Sequence, residues 1–303
     1  MTVLSVCDKY RTVLTEILPY EVPLLFSNYG FYGVLKSDSQ RAIFEKQFDT
    51  IVSGKAGWYI PFNYRIRKYT SGKSRLLSII HPKEQLEVVE FYEKNAKYLL
   101  YLCNRSPLSI RYINNISKCT FEKTDNKVPD DVDEYEEMQI VKCFRNYFNY
   151  EKFDFLYKFF DSIDFTHLES KYKYCMTLDI AKCFYHIYTH SISWSVKGKI
   201  YSKAYQRSES LENSFDKLMQ HCNYNETNGI VVGPEMSRIF SEIILQDIDL
   251  KIIRDLKNDG FTLGKDYDIR RYVDDSFVFF NDYNCADKIK KIMKNVMKTI
   301  NYM

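Results

Sequence analysis

The chain has 303 residues, enough for one large domain or two. Apolar residues make up 45% and charged residues 27%, the balance of a globular protein rather than a disordered one. A net charge of +3 is too small to mark a nucleic-acid surface by itself, and no apolar run approaches membrane-spanning length. The eight cysteines are scattered, with no CxxC pair and no histidine at ligand spacing, so reduced, mostly buried thiols of a soluble cytoplasmic protein are expected.

Residues 1–50 mix a helical pattern with a turn-rich stretch, "FSNYGFYGVLK", in which Gly30 and Gly33 suggest tight backbone. Charge interrupts "MTVLSVCDKYRTVLTE" too early for a signal peptide. Residues 58–81 alternate as two strands about "TSGKS", predicting a β-hairpin with Arg65, Arg67, Lys68, Lys73 and Arg75 around its turn. A helix is predicted from Pro82 to Leu102, with Leu86, Val89 and Leu100 among its apolar positions. The acidic stretch "KTDNKVPDDVDEYEEM" (123–138) reads as a solvated loop or insertion. Residues 139–165 carry Phe and Tyr at helical spacing and predict a helical insertion whose rings pack in a core.

The segment "KYKYCMTLDIAKCFYHIY" then alternates cleanly, with Tyr172, Tyr174, Met176 and Leu178 on one face and Lys173, Cys175, Thr177 and Asp179 on the other. Asp179 closes this strand, and helical spacing follows through Phe184 and Ile187. Taken alone, Asp179 is most often a helix N-cap. In "NGIVVGPEMSRIFSEIILQDIDL" (228–250), Gly233 and Pro234 form a helix entry. Met236, Ile239, Phe240, Ile243, Ile244 and Ile248 follow as a core stripe. The glycine-flanked loop before that helix lets backbone approach a ligand closely.

In "RRYVDDSFVFF" (270–280), Asp274 and Asp275 sit side by side within an apolar run. Two strands meeting at a hairpin tip would converge these carboxylates on one point. Their repulsion is removed by a divalent cation, and Mg²⁺ takes hard oxygen ligands of this kind. A surface Asp-Asp turn is the alternative, and Asp179 is the third carboxylate that a metal site needs. The last segment, "CADKIKKIMKNVMKTINYM", puts Ile289, Ile292, Met293, Val296 and Ile300 on one helical face. It reaches Met303 without a stop signal, as expected of a chain that continues in a parent protein or of a terminal helix that frays.

In this order the motifs resemble those of a reverse transcriptase: "SGKSRLLSIIHP" its fingers segment, "LDIAKCF", "NGIVVGPEMS" and "YVDD" its three palm motifs. The likeness covers about residues 60–300. "GIVVGPEMSRIFSEIIL", with Glu242, and the early "YEVPLLFSNYGFY" look most like the bacterial abortive-infection or phage-defence group. Retron and group II intron enzymes more usually carry a Gln where Val232 stands and a Pro where Arg238 follows Ser237. The resemblance therefore implies DNA synthesis that can be untemplated or protein-primed.

The resemblance also implies an α+β fold, a right-hand polymerase with fingers, an antiparallel palm sheet and a helical insertion, and with no thumb before Met303. The implied division is an N-terminal extension over 1–50, fingers over 51–122, a helical insertion over 123–170 and palm over 171–303. The palm motifs fall at 176–187, 228–248 and 271–280. Asp179, Asp274 and Asp275 are the implied catalytic residues. With the Ile180 carbonyl they would hold two Mg²⁺ ions, for which Mn²⁺ can substitute. Lys73, Arg75, Phe184, Gly233 and Ser237 would bind the nucleotide, Phe184 as the steric gate against a 2′-hydroxyl. Tyr272 and Val273 would line the primer side. The implied partners are dNTPs, a DNA product, an RNA template where synthesis is templated, and further copies of the chain in a homo-oligomer, with no membrane. The alternatives are a templated retron or intron-type enzyme and a catalytically silent fragment that acts as a binding scaffold.

Overall fold

The computed structural model describes residues 8–51, 57–67, 74–117, 147–205 and 210–301. The first elements are helices α1 (Thr12–Thr15), α2 (Tyr29–Lys36) and α3 (Asp38–Ile51). Gly30 and Gly33 lie within α2, not in the tight backbone that their spacing suggests. Each glycine costs a helix about 1 kcal/mol relative to alanine. Burial of Tyr32 and Leu35 on one face outweighs that cost. Asn28, just before the helix, is anchored by its side-chain amide to the Val13 carbonyl and to Gln85 Oε1, both at 2.8 Å.

Strands β1 (Phe62–Arg67) and β2 (Ser74–Ile79) pair antiparallel, Phe62 opposite Ile79 and Arg67 opposite Ser74, as the alternating pattern predicts. The turn between them, with Lys68 and Lys73, lies outside the described residues. Helix α4 (Pro82–Leu102) has the predicted bounds, with Pro82 in its first turn and His81 as N-cap.

Strand β3 (Arg111–Ile116) pairs with β4 (Phe148–Lys152). The acidic stretch 123–138 and residues 139–146 lie outside the described residues. Over 148–152 the helical expectation fails. The backbone groups there are satisfied by the ladder to β3, and Phe148 packs on Tyr92 of α4 with ring centroids 5.1 Å apart. A short aromatic run has no spacing that separates a strand from a helix turn. In the following helices, α5 (Leu156–Phe160) and α6 (Ile163–Lys171), Phe159 is fully buried and Phe165 packs against the same cluster as expected, whereas Tyr157 and Phe160 are exposed.

Strand β5 (Tyr174–Asp179) leads into the short helix α7 (Cys183–His186), then α8 (Ser191–Lys197), α9 (Lys199–Ala204) and α10 (Leu211–His221). The long helix α11 (Glu235–Asn258) follows, then β6 (Tyr267–Tyr272), β7 (Asp275–Phe280) and α12 (Tyr283–Asn301). All six residues of the predicted α11 stripe are buried. The three strands form one antiparallel sheet in the order β5-β7-β6.

The central strand β7 explains the unbroken apolar run after the aspartates. Val278 and Phe280 join the main core that contains α11 and α12 residues, while Phe277 and Phe279 join a second cluster with Phe159, Leu168 and Tyr172. A strand covered on both faces has no polar side to alternate with. On α12, Ile289, Met293 and Val296 of the predicted face are buried and Ile292 is half-buried, while the Ile300 side chain lies outside the described residues. Of the described cysteines, Cys103, Cys183, Cys222 and Cys285 are free and buried, and Cys175 is free and exposed. No helix among the described residues is long and apolar enough to cross a membrane.

Candidate active site

Asp179 is the last residue of β5 and stands directly opposite Asp275, the first of β7, while Asp275 also faces Tyr272 of β6. Asp274 occupies the two-residue turn between β6 and β7. Like charges directly opposed across a ladder are destabilising, and a third carboxylate at the turn adds to the repulsion. Burial first, and then the Asp179 charge, raises Asp274 above the ordinary carboxylate range, whereas Arg75 and Arg238 draw it back. Asp275 is raised by burial and by the charges of Asp274 and Asp179. All the donors are hard oxygens, a set that suits Mg²⁺.

The turn is strained. Val273 has φ 56°, a left-handed conformation that a β-branched residue rarely adopts and that costs about 1–3 kcal/mol. Its carbonyl accepts a 3.0 Å hydrogen bond from Arg271 Nη1. Arg271 is only 1% exposed and is itself fixed from α11. Its two terminal nitrogens fork onto Glu242 at 2.7 and 2.9 Å, and its Nε and Nη2 reach Asp249 at 2.8–3.0 Å. Burial disfavours the Arg271 charge, yet Asp249 and Glu242 reverse that and keep it firmly protonated. The buried ion group on α11 therefore holds the tip that carries Asp274.

The glycine-flanked loop is stitched to two of the other predicted segments. The Ile230 N–H donates to the Phe184 carbonyl at 2.9 Å, and the Gly229 N–H to the Ile187 carbonyl at 2.8 Å. The Val232 carbonyl accepts from the Ser78 N–H of β2 at 2.9 Å. Gly233 has φ +128°, and a Cβ there would meet the Pro19 ring at 2.6 Å, so glycine is required twice over. The N-terminal segment also closes the helix start, because the Glu16 carbonyl accepts from the N–H groups of Glu235 (2.8 Å) and Met236 (3.3 Å).

The structure thus brings Asp179, Asp274 and Asp275 to one end of the sheet, with the exposed Arg75 on β2 close enough to act on Asp274. Phe184 is half-buried beside the loop that holds Gly233. The Ile180 carbonyl already accepts the Cys183 N–H at 3.2 Å, which leaves it one lone pair. Ser237 is fully buried with an unpartnered hydroxyl, so it stands beneath the loop surface rather than on it. Tyr272 is half-buried and donates from its hydroxyl to the Asp154 carbonyl at 2.7 Å. Lys73 lies outside the described residues.

Several residues at this site escaped sequence analysis. Glu235, 2% exposed, binds Arg111 at 2.8 Å, Arg238 at 2.5 Å and the Tyr150 hydroxyl at 2.5 Å. Against burial, the Arg111 and Arg238 charges hold its carboxyl down to about 2. Only the i,i+3 pair of Glu235 and Arg238 was visible beforehand. Arg111, Tyr150 and Glu16 come from distant segments and left no local signal.

No protein-family model matches the chain, and no curated protein matches it. Among solved structures, it is similar to apo telomerase from Candida tropicalis truncated from the C-terminal domain. That match has 13% identity and a TM-score of 0.45, and covers 86% of this chain and 53% of that one. A second is telomerase from Candida albicans in complex with the TWJ fragment of telomeric RNA, with 10% identity, a TM-score of 0.42, and 87% and 46% of the two chains covered. The chain spans about half the length of these telomerase chains, and likeness at this level does not establish a family.

Proposed function

We propose that the chain is the fingers and palm portion of a reverse-transcriptase-like DNA polymerase of the phage-defence type. It adds deoxynucleotides to a primer hydroxyl by untemplated or protein-primed synthesis. The observation that carries this reading is the opposition of Asp179 and Asp275 across the β5–β7 ladder, with Asp274 at the adjoining turn. In the reaction, a primer hydroxyl oxygen bonds to the α-phosphorus of a dNTP, the bond to pyrophosphate breaks, and the hydroxyl proton leaves.

Asp179, Asp274 and Asp275, with the free lone pair of the Ile180 carbonyl, would hold Mg²⁺ or Mn²⁺. Such ions lower the pKa of an attacking hydroxyl and stabilise charge on the leaving oxygen. The chain's own residues supply position and charge. Arg75 and Lys73 would engage the triphosphate, Phe184 would lie under the sugar, and the Gly233 loop would form the floor against which the nucleotide rests. Tyr272 and Val273 would line the primer end.

The test is incorporation of labelled dNTPs by the full-length protein with Mg²⁺, with and without template RNA, followed by protease digestion. Asp274→Asn is expected to abolish incorporation, and the wild-type product should be indifferent to template and shifted by protease. Incorporation retained in Asp274→Asn would remove the aspartates from catalysis. A strict template requirement would instead favour a templated enzyme.

A further inference from the structure

A second group of acids lies on helix α4 and uses none of the residues above. Glu84 is in the first turn of α4 and is 0% exposed, yet among the described residues no donor group reaches either carboxylate oxygen, and only the Glu87 carboxyl comes within hydrogen-bonding range. A glutamate two residues after a helix-starting proline commonly reaches back to the N-cap N–H, and Glu84 does not. Glu87 is one turn on, on the same face. From the last residue of α10, His221 presents a buried Nδ1 that also lacks a partner and lies 3.8 Å from Glu87 Oε2. The ligand atoms of Glu84, Glu87 and His221 all fall within 4.8 Å of one another.

Glu84 is buried while Glu87 and His221 are part-exposed, and a buried carboxylate this close to a second one is stabilised by a compensating positive charge. A proton shared between Glu84 and Glu87 is one source, and burial followed by the Glu87 charge does push Glu84 up to about 8. That proton would satisfy the carboxylates and leave His221 Nδ1 unpaired. A divalent ion satisfies all three. The 3.8 Å between His221 Nδ1 and Glu87 Oε2 is a span that two ligands of one ion can cover with bonds of about 2.0–2.1 Å.

We propose that Glu84, Glu87 and His221 form a structural site for a divalent transition-metal ion of the Zn²⁺ class. One imidazole nitrogen with two carboxylate oxygens suits Zn²⁺, whereas Mg²⁺ keeps to oxygen ligands and water. The ion would join the start of α4 to the end of α10. The His221 carbonyl accepts the Tyr59 N–H at 3.2 Å, and the Tyr59 carbonyl accepts the Tyr224 N–H at 3.2 Å, so the same joint holds the segment leading into β1. Metal at this site would therefore fix the base of the hairpin that carries Arg75.

The experiment measures metal content and Zn²⁺ affinity of the full chain in an Asp274→Asn/Asp275→Asn background, which silences the aspartate site. Elemental analysis after dialysis is expected to find about one equivalent of Zn²⁺, and added Zn²⁺ should raise the melting temperature. Glu87→Gln, at a half-exposed position that tolerates change, should weaken Zn²⁺ binding about tenfold or more, and His221→Ala should do the same. Mg²⁺ should not compete. Zn²⁺ binding unchanged in both variants overturns the proposal. So does absence of bound metal combined with a Glu84→Gln protein that is more stable than its parent, the outcome expected of a shared proton.

Discussion

Phe184 and Gly233 are single residues whose replacement separates chemistry from packing. Phe184 is half-buried, and its carbonyl accepts the Ile230 N–H, which fixes its backbone beside the glycine loop. Under the proposed reaction, Phe184→Ala should raise ribonucleotide incorporation relative to deoxynucleotide, measured by competition between labelled rNTPs and dNTPs. An unchanged ratio would remove the ring as the gate. Gly233→Ala adds a Cβ where the Pro19 ring stands 2.6 Å away and forces a side chain onto φ +128°. A loss of about 2 kcal/mol is expected in urea unfolding. Pro19→Gly in the same chain removes both ring atoms that stand within 2.8 Å, so it should recover the part due to contact and leave the part due to backbone strain.

At the scale of elements, helix α11 does two jobs with two sets of residues. Its apolar stripe builds the core, and Glu242 and Asp249 hold Arg271, which in turn holds the Val273 carbonyl of the β6–β7 turn. Arg271→Leu leaves two buried carboxylates without a cation and should cost about 3–5 kcal/mol. Arg271→Lys keeps the charge but cannot reproduce the fork, so it should recover only part. Replacing Arg271, Glu242 and Asp249 together by apolar residues should restore stability in urea unfolding. Nucleotide incorporation should stay low, because nothing then donates to Val273.

For the whole molecule, the buried carboxyls set how stability depends on pH. Burial first, and the Glu235 charge second, raises Glu16 from 4.5 to about 8, and Glu84 is raised in the same direction. Between about pH 4.5 and pH 8, the native state then binds more protons than the unfolded chain, so stability falls as pH rises. Each group contributes up to about 1.4 kcal/mol per pH unit across that window. In protein stripped of divalent metal, where Glu84 titrates alike in both chains, Glu16→Gln should flatten the fall in urea midpoint between about pH 5 and pH 8. An unchanged slope would mean that Glu16 ionises normally in the folded protein.

The elements legible in the sequence were those whose periodicity is written locally. The β1–β2 alternation, the bounds of α4, the stripe of α11 and the strand that ends at Asp179 all appear in the structure. Each repeats its apolar positions every two or about 3.6 residues, so neighbouring side chains carry the information. Tertiary structure decided the rest. It placed Asp179 against Asp275 from segments almost a hundred residues apart, turned 148–152 into a strand because β3 offered an edge, and folded Gly30 and Gly33 into a helix. It also chose the partners of Arg271, Glu235 and Glu84. A buried charge is specified by what surrounds it in space, and no local period records that.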